Sequence, residues 1–152
     1  MEFELPPDFK EFLESLNRHE VRYLLIGGYA VALHGHPRAT NDIDIVVSDD
    51  PENAERLVTA LREFGFGETS LSADLFTSKD ALVVMGVEPL AIDILNYLQG
   101  AMFEAAYQNR EIVSVEDIKV SLISLKDLIA NKRAVARHKD LEDVEKLEKI
   151  NR

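Results

Sequence analysis

The sequence predicts an α+β domain with a mixed central sheet, flanked by helices and closed by a C-terminal helical segment. Three observations predict it. The stretch from Val21 to Val47, VRYLLIGGYAVALHGHPRATNDIDIVV, reads as strand, glycine pair, short helix and second strand. A helical pattern follows it, then two strand-like runs around Gly86, so that a crossover of the βαβ kind and a hairpin give the sheet both parallel and antiparallel neighbours. From Ser124 onward the pattern is helical. At 152 residues the chain has the size of one domain, read here as residues 1–152.

In chain order, Pro6-Pro7 precede Phe9, Phe12, Leu13 and Leu16, which share one face of a helix that proline can start. Val21 to Ile26 is an apolar run typical of a covered strand, and Tyr29 to Leu33 reads as the first turns of a helix. Asn41 to Val47 alternates as a strand. Ser48-Asp49-Asp50-Pro51 forms a helix start, with Ala54, Leu57, Val58, Leu61 and Phe64 on one face and a stop near Gly65. Gly67 to Lys79 carries the weakest pattern, with a short helix at Leu71 to Phe76. Ala81 to Met85 and Leu90 to Leu95 then pair as a hairpin through Gly86 to Pro89. Ala101 to Tyr107 reads as a helix, and Glu111 to Val115 and Asp117 to Leu122 as short strands.

Ser124 is the N-cap of the next helix, with Asp127 at its third position; Leu125, Leu128, Ile129 and Val135 or Ala136 form the buried side, and Lys132, Arg133 and Arg137 fall on or near another. The last helix starts at Lys139 or Asp140 with Leu141, Val144, Leu147 and Ile150 as its apolar stripe. Together these two helices read as a lid or flank beside the sheet.

A formal charge of −11 argues against a protein that coats nucleic acid by counterion release. The positive charge is concentrated instead: Lys126, Lys132, Arg133, Arg137 and Lys139 stand against the single acid Asp127, a field able to steer a triphosphate or an RNA end. The chain has no cysteine, so there is neither a disulfide frame nor a thiolate nucleophile. No run approaches the roughly 18 apolar residues of a membrane span, and the acidic start MEFELPPDFKEF lacks the pattern of a signal peptide. A reducing cytoplasm and no membrane are the expectation.

The chemistry concentrates at Asp42 and Asp44, which project from one face of their strand while Ile43 and Ile45 project from the other. Two carboxylates held that close resist ionising unless a cation lies between them. Asp93, embedded in Pro89-Leu90-Ala91-Ile92-Asp93-Ile94-Leu95, is a third acid in apolar surroundings, and reaches the same cluster if its strand pairs beside the first. Three strand acids suit Mg²⁺ or Mn²⁺ and the two-metal clamp of in-line phosphoryl transfer. Gly27-Gly28 lets a phosphate approach the backbone without meeting a Cβ. The plain alternatives are a solvent-facing strand, a satisfied buried acid at Asp93 and a tight turn at the glycines. The pair is not a dinucleotide fingerprint, because Tyr29-Ala30-Val31-Ala32 replaces the required glycine spacing. His34-x-His36 lacks a third zinc ligand of the right kind nearby, and a place near the substrate suits those histidines better.

Strand, Gly27-Gly28, Asp42-x-Asp44 and a later strand acid resemble the signature of the DNA polymerase β-like nucleotidyltransferase superfamily. Within it, GGYAVALHGHPRATNDIDI, IDIL and LISLKDLIANKRAVARHKDLEDVEKL most resemble stand-alone bacterial proteins related to AbiEii-type toxins, over nearly the whole chain. Many relatives carry Ser directly after the first glycine; here it is Gly28, which leaves phosphate contact to backbone N–H groups. The resemblance implies the polymerase β-like fold and a metal-dependent transfer of a nucleoside monophosphate from an NTP to an acceptor hydroxyl, on an RNA end or a protein. It also implies a toxin role, with an antitoxin as partner. It places the loop bearing Arg38 and Thr40 near the nucleotide and matches Lys132, Arg137 and Asp140 to residues that flank the site. Two other classes share parts of the pattern: the D-x-D of sugar-nucleotide glycosyltransferases, and a slow nucleotide-sensing or partner-binding module of a toxin-antitoxin pair.

Overall fold

The computed structural model describes residues 4–38, 40–67, 70–87 and 90–151. Ala39 and the hairpin residues Glu88 and Pro89, named in the expectations above, lie outside them.

Pro7 occupies the first turn of α1 (Pro7–Arg18), which buries Phe9, Phe12, Leu13 and Leu16 as the spacing predicts. β1 (Tyr23–Ile26) runs directly into α2 (Gly27–Leu33), so both glycines belong to the first turn of that helix instead of a preceding turn. β2 (Asp42–Val47) leads to α3 (Pro51–Phe64), whose first proline and terminal Gly65 bound it where expected. A one-turn helix, α4 (Asp74–Thr77), precedes β3 (Leu82–Val87) and β4 (Leu90–Leu95). α5 (Phe103–Gln108), β5 (Glu111–Val115), β6 (Ile118–Leu122), α6 (Leu125–Val135) and α7 (His138–Ile150) complete the chain.

The six strands form one sheet in the order β3-β4-β2-β1-β6-β5. The β2–β4 and β1–β6 pairs are parallel and the others antiparallel, which makes the sheet mixed. The expected βαβ crossover is corrected in one respect. α3 carries the chain from β2 to β3, an edge strand two places away, and the parallel neighbour of β2 is β4, reached only after the hairpin. Burial explains the choice: Ala91, Ile92 and Ile94 of β4 are buried and belong inside the sheet, whereas β3 leaves Leu82 and Val84 more than half exposed.

α1 and α3 lie against each other, joined by an edge-on contact of Phe12 and Phe64 and by the Ser15 hydroxyl donating to the Ala60 carbonyl at 2.9 Å. Asn53, fully buried on α3, locks this layer to the strands. Its amide accepts from the Arg22 N–H at 2.7 Å and donates to the Arg22 and Ser48 carbonyls at 3.1 Å each. These bonds fix the start of β1 and the end of β2, and with them the register that positions the acids.

Two readings of the C-terminal helices change. Ser124 caps α6 by accepting from the Asp127 N–H at 3.2 Å, and Leu128 is buried, but Val135 is only half-buried and Ala136 is exposed. Lys132, expected on a different face, is 4% exposed. In α7, Leu141 and Ile150 are about half exposed, and the buried positions are Asp140, Asp143, Val144 and Leu147. The helix turns acids inward because cations wait there. Among the described residues, no helix is long and apolar enough to cross a membrane.

Candidate active site

Register assembles the first part of the site. Ile26 pairs with Asp44, Asp44 with Asp93 and Asp93 with Val84, so these four residues form one row across β1, β2, β4 and β3 and project from one face. Asp42 stands two residues earlier on the same face of β2, in the row of Ala91 and Gly86. The three acids are therefore brought to one side of two neighbouring strands, as the alternation predicted. Burial, a hydrogen bond with Asp93 and the negative charges of Asp93 and Asp42 push the Asp44 carboxyl up to about 7, with Lys132 pulling the other way. Asp42 keeps Oδ1 buried without a hydrogen-bond partner among the described residues.

The glycines sit against this row. A Cβ on Gly27, which has φ +71°, would stand 2.2 Å from Asp44 Oδ2. A Cβ on Gly28 would stand 2.8 Å from Thr40 Oγ1 and 3.4 Å from an Arg38 Nη2. Only glycine lets the first turn of α2 press onto the acids and lets Arg38 and Thr40 lie over it. Thr40 donates to the Asp42 carbonyl at 3.3 Å. First-turn N–H groups of a helix have no intrahelical acceptor, so this turn presents donors beside the carboxylates.

The second part is an ion-pair chain. Lys132 Nζ lies 3.1 Å from Asp140 Oδ1 and 3.1 Å from Asp143 Oδ2. Arg38 reaches the same Asp143 oxygen at 3.0 Å. Arg137 holds Asp140 from its backbone N–H at 3.2 Å and from its guanidinium Nε at 2.6 Å. Burial pushes the Asp140 carboxyl up, but the bonds from Arg137 and Lys132 outweigh it and hold it below the ordinary carboxylate value. Asp143 stands three residues after Asp140, one turn along the same face of α7; the sequence leaves both open to a plain reading as helix-start acids favoured by the dipole, and the structure pairs both with cations.

A cleft of about 250 Å³ joins the two parts, taking in Gly27, Asp44, Asp93, Lys132, Arg137 and Asp140. Gly28, Arg38, Thr40 and Asp42 sit beside it. His34 Nε2 donates to the Ile123 carbonyl at 2.8 Å, which ties the end of α2 to the residue after β6. Among the described residues, no three His, Cys, Asp or Glu side chains stand gathered as a metal cluster. The donor set nevertheless fits a hard divalent cation, because it offers carboxylate oxygens, one of them a buried orphan, around a carboxyl whose charge the surroundings oppose.

A family model described as "Nucleotidyltransferase of unknown function (DUF6036)" matches residues 4–152. Solved structures share the fold. A Thermotoga maritima protein assigned as a nucleotidyltransferase is 18% identical with a TM-score of 0.60, over 93% of this chain and 88% of that one. The lincosamide antibiotic adenylyltransferase LnuA, solved with lincomycin, is 14% identical with a TM-score of 0.59, over 95% and 96%. ANT(2")-Ia in complex with adenylyl-2"-tobramycin is 13% identical with a TM-score of 0.59, over 91% and 84%. At such identities the likeness establishes the fold, a mixed sheet flanked by helices. Among proteins of curated function, none matches the sequence significantly.

Two outcomes follow from the electrostatics. Asp44 carries a raised carboxyl, so its contribution to stability is complete below the ordinary value near 3.8 and is lost as pH rises through about 7. Free of divalent cations, the protein should therefore melt at a lower temperature at about pH 8 than at about pH 5, and Asp44→Asn should flatten that slope; a flat wild-type profile contradicts the assignment. Lys132→Met should cost about 3 kcal/mol in urea unfolding, because it leaves two buried acids with one arginine each, and a change below about 1 kcal/mol would mean that the lysine is not the hub.

Proposed function

We propose, from the premise that this chain belongs to the nucleotidyltransferase family whose model matches residues 4–152, that it moves a nucleoside monophosphate from an NTP to an acceptor hydroxyl. The observation that carries the reading is the cross-strand pairing of Asp44 with Asp93, with Gly27 seated on Asp44. Acids buried in that arrangement oppose one another, and a fold keeps such a conflict where chemistry uses it.

Asp42, Asp44 and Asp93 would hold Mg²⁺ or Mn²⁺, which when bound supplies Lewis acidity and neutralises phosphate charge. The backbone N–H groups of Gly27 and Gly28 receive the β and γ phosphates at the start of α2, with Arg38 and Thr40 closing over Gly28. The acceptor oxygen bonds to the α-phosphorus as the bond from that phosphorus to the β-bridging oxygen breaks. Pyrophosphate leaves with the electron pair, and Asp93 takes the hydroxyl proton. Lys132 and Arg137 offset the charge that builds on the leaving group, and Asp140 fixes the position of both.

The acceptor in this reading is an RNA end or a protein, in the cytoplasm, and the reaction serves as the toxin of a toxin-antitoxin pair with a cognate antitoxin as partner. Its support is the AbiEii-like wording of GGYAVALHGHPRATNDIDI and the C-terminal segment. LnuA is a lincosamide antibiotic adenylyltransferase and ANT(2")-Ia was solved with adenylyl-2"-tobramycin, so an antibiotic is the competing acceptor class.

With α-labelled NTP, Mg²⁺ and a cell lysate, the wild-type chain should produce label in macromolecules. Asp42→Asn and Asp44→Asn should each lower it by about 10²-fold or more, the size of effect seen when one group that stabilises transition-state charge is removed. Equal labelling by wild type and either variant would reject the mechanism.

A further inference from the structure

The cleft has two walls of opposite chemistry. On one side Lys132 and Arg137 are already paired with acids, and the three lining aspartates Asp44, Asp93 and Asp140 outnumber those two cations. On the other side lie Leu82 and Leu95, which pair across β3 and β4 two residues along from Val84 and Asp93, on the same face. Leu82 is 55% and Val84 59% exposed, large apolar side chains on the face that bears the acids. Among the described residues β3 is also an edge strand, hydrogen-bonded to β4 alone, and LVVMGV carries no charge along it. Edge strands of this length usually carry a lysine, a proline or a bulge that prevents pairing with another chain.

We propose that the acceptor is a tyrosine hydroxyl in an extended, neutral-to-basic polypeptide segment that adds to the free edge of β3 and lays its phenol across Val84 toward Asp93. The inference rests on the nucleotidyl-transfer reading and names its acceptor. Charge selects the class, because on a chain of net charge −11 the cations lining the cleft are already paired with acids and the bound divalent ions serve the triphosphate, which leaves the β3 side to favour an uncharged or basic peptide over a polyanionic RNA end. Spacing selects the side chain. Strands lie about 4.8 Å apart, so a strand added outside β3 stands about 10 Å from β4 and Asp93. A serine or threonine hydroxyl falls short of that, whereas a phenol lying on the Val84 shelf spans it. Alternate side chains of the added strand fall on the same face, so flanking apolar residues would cover Leu82.

The test uses a synthetic peptide, Val-Lys-Tyr-Lys-Val with blocked ends, which puts both valines on the face of the tyrosine, its Phe counterpart, and a short RNA ending in CCA. With the full chain and Mg-NTP, the Tyr and Phe peptides should both shift the amide resonances of residues 82 to 86, and only the Tyr peptide should become labelled. Val84→Lys should reduce both shift and labelling at least tenfold while leaving the Kd for Mg-NTP unchanged. Peptide shifts on β3 without labelled product would support docking at the edge and place the failure in the transfer reading. Absence of any shift on β3 overturns the proposal. So does labelling of the RNA that Val84→Lys leaves intact or raises, since an added lysine favours a polyanion.

Discussion

Carboxylates on neighbouring strands at the same register repel one another, and the sheet that apolar burial assembles holds Asp44 and Asp93 in such a pair. The pair exists because β4 lies next to β2: the chain passes through α3 and the β3–β4 hairpin, and the buried β4 inserts between β2 and the edge. Gly27 must lack a Cβ for α2 to begin against Asp44. Asn53 holds the ends of β1 and β2 through three hydrogen bonds and keeps the row aligned. Each feature positions backbone around an electrostatic conflict that hydrophobic packing alone would avoid.

The C-terminal helices answer that conflict with a second one. Arg38, Asp143, Lys132, Asp140 and Arg137 form a continuous chain of alternating charge that ties the loop before β2 to α6 and α7. Lys132, Asp140 and Asp143 are almost wholly buried, and a buried ion pair gains little over well-packed apolar residues of equal volume. What the chain provides is position. Lys132 lowers the charge cost at Asp44 from a fixed place, and Arg38 is held above Gly28 by the same acid that holds Lys132.

The strands and their acids were legible because a period of two leaves little freedom: DIDIVV and LAIDIL announce which side chains share a face. Resemblance then drew Arg38, Lys132, Arg137 and Asp140 into one site, and all four do lie in or beside one cleft. The helical end was misread for a physical reason. The expectation that a helix buries its apolar stripe assigned Leu141 and Ile150 inward and Lys132 outward, whereas paired ions fill the interface and leave those two apolar residues half exposed. The place of β4 inside the sheet and β3 at its rim was likewise hidden, because a hairpin pattern does not say which strand faces the neighbour. The fold is shared with LnuA and ANT(2")-Ia, and function within one fold is decided by the residues of the site, which sequence periodicity does not describe.

The central claim, that Asp42, Asp44 and Asp93 are held together for a divalent cation, is tested most directly by titrating Mn²⁺ into the full chain with a non-hydrolysable NTP and reading free Mn²⁺ by electron paramagnetic resonance. The account predicts that the wild type removes more Mn²⁺ from solution than the nucleotide alone chelates and that Asp44→Asn with Asp93→Asn abolishes this excess uptake while the protein stays folded. Equal uptake by wild type and the folded double variant would contradict it.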